Sequence, residues 1–118
     1  MPEVSVDALP ELLVNGVLNV YGARPKAMAN MVVLLRELGR DGEVAALTEE
    51  FCAALATRLA HAHPNSDRAT CLDAARTAVH AVLGSVRQAG QETPDRLVGD
   101  EAFRSRLVAV ARAALTLG

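Results

Sequence analysis

The apolar residues of this chain recur every third or fourth position along almost its whole length, and no segment alternates apolar with polar residues between hairpin turns. That spacing puts one side chain above the next on a helix face, so the sequence predicts an all-α bundle of about five helices. The 118 residues suit one domain, 1–118, able to bury roughly two thirds of the surface that the unfolded chain exposes. No internal repeat or low-complexity tract interrupts it.

Punctuation along the chain divides the helices. Asp7 is placed to cap a first helix carrying Leu9, Leu12, Leu13, Gly16, Val17 and Val20 at helical spacing, with Pro10 in its early turn, until "YGARP" stops it. Its polar residues, Glu11, Asn15 and Asn19, form one narrow stripe, so this helix reads as the central one. A second helix begins at Pro25, turns Met28, Met31, Val32, Leu35 and Leu38 inward, and ends at Gly39 or Gly42. A third, from about Glu43 to Ala62, aligns Val44, Leu47, Phe51, Leu55 and Leu59 before Pro64 closes it. Ser66 or Asp67 caps the fourth, Thr93 and Pro94 begin one extra turn, and Asp100 caps a fifth with Phe103, Leu107, Val110, Ala114 and Leu117 inward.

The last two helices carry two tracks each. In "DAARTAVHAVLGSVRQAG" the bulky Leu72, Ala75, Val79, Val82 and Val86 run beside Cys71, Ala74, Ala78, Ala81 and Ser85. From "EAFRSRLVAVARAAL" into the residue that follows it, the small track is Ala102, Arg106, Ala109, Ala113 and Thr116. Small side chains let helix backbones approach closely, and a monomer covers one face of each helix, so the second faces predict a twofold homodimer through Ala74, Ala78, Ala81, Ser85, Arg106, Ala109 and Ala113. The competing reading is alanine serving as a helix former on a solvated face.

Composition narrows the function. Hydrophobic residues make up 51% and charged residues 22%, a globular balance, and the net charge of -2 gives this chain no footprint for nucleic acid. No apolar run reaches the roughly 20 residues of a membrane span and no signal peptide is recognisable, so a cytoplasmic protein with no membrane partner is expected. Cys52 and Cys71 sit within helical patterns and read as reduced core residues.

Asn15 and Asn19, amides on an otherwise apolar helix, are the candidates for orienting a ligand, unless that stripe faces water. Met28, Met31, Phe51 and Leu55 are candidates for an adaptable apolar cavity, or else plain core. His61 and His63 point in different directions and read as partners of the last carbonyls of their helix rather than as metal ligands. His80 follows Arg76 and Asp73 on one track, either a network or a solvated edge. No nucleophile, acid and base assemble by spacing, so no enzyme activity, metal or cofactor is expected.

The order of helices, with "MVVLLRELGRDGEVAALTEEFCAALATRLA", "DAARTAVHAVLGSVRQAG" and the closing "FRSRLVAVARAAL", resembles the C-terminal effector-binding domain of TetR-family transcriptional regulators. The resemblance covers nearly the whole chain. It implies an all-helical domain of a repressor that dimerises through its last two long helices as an intermolecular four-helix bundle and encloses an apolar cavity for a small-molecule effector. No basic helix-turn-helix precedes Asp7, so the resemblance implies the sensing half of a regulator, which reaches DNA only through that missing head. The alternative is a helical dimerisation or scaffold module without a ligand pocket.

Overall fold

The computed structural model of the chain describes residues 5–23, 31 and 33–117. Among these the backbone is helical with short turns and holds no strand, which agrees with the all-α expectation. A 3-10 turn, Val6–Ala8, leads into α1 (Leu9–Ala23). Helical backbone over 33–37 is followed by α2 (Asp41–Ala62), α3 (Arg68–Glu92), a second 3-10 turn, Pro94–Leu97, and α4 (Glu101–Leu115).

The helix ends follow local hydrogen-bond chemistry. Asp67 Oδ1 accepts the Thr70 backbone N–H at 2.7 Å and Asp100 Oδ1 accepts that of Phe103 at 2.9 Å, so each carboxylate satisfies a donor that its helix leaves open. Asp7 does not cap α1: it lies within the first 3-10 turn, and Ser5 Oγ accepts the Asp7 backbone N–H at 3.3 Å. The helical stretch 33–37 stops because Gly39 takes φ +71°; the Gly39 N–H then reaches the Arg36 carbonyl and the Arg40 N–H that of Leu35. A glycine accepts this left-handed conformation without the steric cost of a Cβ.

The centre of the bundle is α3, not α1. It packs against α2, α4 and α1 and against the second 3-10 turn. The first part of its small track is thereby covered within the chain: Cys71, Ala74 and Ala78 are buried together with Ala75, Val79, Val82, Val86 and Ala89, whereas Ala81 is half-buried and Ser85 exposed. α1 instead closes one flank. It buries Leu9, Leu13 and Val14 but leaves Leu12 51% and Val20 57% exposed.

The inward stripes shift on three other segments. On α2, Cys52, Leu55, Ala56 and Leu59 are buried, while Leu47 and Phe51 stand out to solvent. Before α2, Met31 and Leu38 are exposed as well, and Met28 and Val32 lie outside the described residues. On α4 the buried set is Phe103, Leu107, Val108, Ala111 and Leu115, so Val110 turns outward and Ala114 and Leu117 are only half-buried. The last turn of α1 and the second 3-10 turn approach closely at Gly22, where an added Cβ would lie 2.8 Å from the Leu97 carbonyl oxygen.

Candidate functional site

α1 and α2 both lie on α3 but make little direct contact with each other, and the gap between them forms a surface cleft of about 230 Å³. Leu9, Leu12 and Leu13 of α1 face Phe51, Ala54 and Leu55 of α2 across it, and Arg58 is the one ionic side chain among the described residues of the lining. Phe51 is 48% exposed here, so the chain presents a large apolar ring at the mouth of an apolar gap.

This cleft brings together Phe51 and Leu55 of the candidate ligand residues. The others go elsewhere. Asn15 is half-buried and its Oδ1 accepts Arg104 Nε–H at 2.9 Å, tying α1 to α4, so that oxygen is already engaged within the fold. Asn19 and Met31 are exposed, and Met28 lies outside the described residues.

A second cleft, of about 320 Å³, sits where residues 33–37, the first half of α2 and the middle of α3 converge. Leu35, Val44, Ala45 and Leu83 supply its apolar wall; Arg36, Glu49, His80 and Arg87 supply its ionisable groups. Arg76 of α3 donates to Glu49 of α2 through both Nε, at 2.7 Å, and Nη2. That guanidinium holds the Glu49 carboxyl below the usual carboxylate range, and the pairing in turn raises Arg76. Arg87 Nε donates to the Tyr21 hydroxyl of α1 at 3.1 Å. His80 therefore stands beside an inter-helix ion pair with its ring exposed, the solvated edge of the two arrangements that its sequence context allowed.

The candidate interface residues divide by helix. On α4, Arg106, Ala109 and Ala113 are exposed, with Ala102 and the 46% exposed Val110 beside them. On α3, Ser85 is exposed and Ala81 half-buried, whereas Ala74 and Ala78 are covered by the chain's own helices and present nothing to a second copy. Fewer of those candidates are thus exposed on α3 than on α4.

His63 Nδ1 lies 3.1 Å from the Leu59 carbonyl oxygen, so that nitrogen carries the proton and donates to the last turn of α2, while His61 is exposed. Cys52 and Cys71 are free and fully buried; burial, then the Glu49 carboxylate, pushes the Cys52 thiol up, which disfavours the thiolate. Among the described residues no helix is long and apolar enough to cross a membrane.

Reading along the sequence did not find Leu9, Leu12, Leu13 and Ala54 as cleft residues, nor Arg36, His80 and Arg87 as neighbours. Each cleft joins residues about 40 or more positions apart, and helical periodicity assigns a face to each helix without saying which faces meet. No family model matches the chain, and neither a curated protein nor a solved structure matches it.

Proposed function

We propose that this chain is the effector-binding and dimerisation domain of a TetR-like transcriptional regulator, a non-enzymatic repressor module of the cytoplasm that binds an apolar small molecule. The observation that carries the reading is the α1–α2 cleft, where the half-exposed Phe51 and Leu12 stand over an apolar floor of Leu9, Leu13 and Leu55. Area burial against such walls supplies affinity, and a shift of α1 relative to α2 is the movement that a ligand between them would bias. The effector domain pairs with a second copy through α4 and the exposed end of α3. DNA is reached through a helix-turn-helix head that works in series with this domain.

The test is thermal melting of the chain against a panel of hydrophobic compounds. A compound that binds only the folded state at about 100 times its Kd stabilises by about 2.7 kcal/mol. We expect at least one chemical class to raise the melting temperature, and Phe51→Ala to remove that rise while leaving helicity intact, because Phe51 is half-exposed. Silence across diverse chemistries, or an unchanged response in Phe51→Ala, overturns the cleft assignment.

One observation favours the scaffold reading instead. Leu12, Leu47 and Phe51 are all about half-exposed or more, and a partner helix would cover them as well as a small molecule would. In that case no compound stabilises the chain and a protein partner does.

A further inference from the structure

The cleft at the junction of residues 33–37, α2 and α3 differs in chemistry from the α1–α2 cleft. Its wall is apolar, through Leu35, Val44 and Leu83, yet its rim carries Arg36, His80 and Arg87. Glu49, the one carboxylate among the described residues of the lining, is already engaged by Arg76, so it does not cancel the charge of Arg36 and Arg87. Arg87 is also held in place. Its Nε–H is spent on the Tyr21 hydroxyl, which fixes the plane of the guanidinium and leaves its two Nη groups to donate elsewhere. A planar, anchored guanidinium that shares its cleft with a second one is a donor set that grips a carboxylate, because two parallel N–H groups match its two oxygens.

We infer that this cleft is a binding site for a small amphipathic carboxylate, with the headgroup on Arg87 and Arg36 and the apolar body against Leu35, Val44 and Leu83. The volume of about 320 Å³ lies at the lower end of the range for small-molecule sites, which suits a short chain of carbons and not a long lipid. His80 offers one further N–H at the rim. The inference stands on this cleft alone and does not depend on the regulator reading or on the α1–α2 cleft.

The experiment is isothermal titration of the full chain with octanoate, octanol and inorganic phosphate. Emission of Tyr21 is followed in parallel, since the chain has one tyrosine and no tryptophan and this hydroxyl is bonded to Arg87. Octanoate should bind and change the tyrosine emission; octanol and phosphate should each bind at least tenfold more weakly, because each lacks one half of the recognised chemistry. Arg36→Gln with Arg87→Gln should weaken octanoate at least tenfold, the scale of a lost charge-assisted hydrogen bond. Phe51→Ala should leave octanoate binding unchanged, which separates this site from the α1–α2 cleft. The inference is overturned if octanoate fails to bind at millimolar concentration, if octanol or phosphate binds as well as octanoate, or if the double variant retains full affinity. The wild-type titrations decide the first two points whether or not the double variant folds.

Discussion

Two glycines show how a single Cβ changes sign with its surroundings. At Gly22 an added methyl would press on the Leu97 carbonyl oxygen at 2.8 Å, and that atom is backbone, so the second 3-10 turn would have to move off α1. Overpacking of this kind costs about 1–3 kcal/mol, more than the roughly 1 kcal/mol that alanine gains over glycine inside a helix. At Gly84, within α3, nothing lies within 4 Å of the same methyl. Urea unfolding should therefore show Gly22→Ala destabilised and Gly84→Ala stabilised by about 0.5–1 kcal/mol. Equal effects would mean that the turn does not press on α1.

At the scale of the helices, the capping carboxylates set the response to acid. Asp67 and Asp100 are held below the ordinary aspartate range, first by the backbone N–H groups of Thr70 and Phe103. A depressed folded pKa means that the unfolded chain binds protons first, so this contribution is present above the unfolded value and lost as pH falls through the folded one. Glu49 adds to the same trend through Arg76. Melting temperature should fall below about pH 4, and the fall should be shallower in Asp67→Asn with Asp100→Asn, because asparagine still caps but does not titrate. An identical acid limb in that variant would remove the caps from the account.

The caps were legible because they are local: a carboxylate meets a donor three residues on, and the sequence around Asp67 and Asp100 contains the whole interaction. Asp7 failed as a cap because Ser5 opened a 3-10 turn before it. The doubled stripes of α3 were legible as a fact but not in meaning. A helix with two apolar faces is either central in its own chain or shared with a second one, and periodicity is the same in both. Here α3 is central, while α1, whose sequence looked more evenly apolar, leaves Leu12 and Val20 in solvent. The clefts were the least legible, since Phe51 reads as core by spacing and only the gap between α1 and α2 leaves it half-exposed.

For the molecule as a whole, the division of the small-residue tracks sharpens the proposed homodimer. Light scattering should report twice the chain mass of 12.4 kDa. Ala109→Glu, on the exposed face of α4, should return a monomer with unchanged helicity, whereas Ala78→Glu should unfold the chain, because Ala78 is sealed among its own helices. A wild-type monomer at micromolar concentration, or a dimer that survives Ala109→Glu, would take the association face off α4.

The bond between Asn15 and Arg104 joins residues 89 positions apart, and the weaker pair of Glu11 with Arg112 runs in the same antiparallel sense. During vectorial synthesis α1 therefore leaves the ribosome long before the helix that covers it. At about 5–20 residues per second the delay is roughly 5 to 20 seconds. For that interval α1 has α3 to pack on but lacks the helix to which Asn15 and Glu11 tie it. The expected consequence is a yield that depends on the waiting time of α1: slowing translation ahead of α4 should lower soluble yield without altering the melting temperature of the protein recovered.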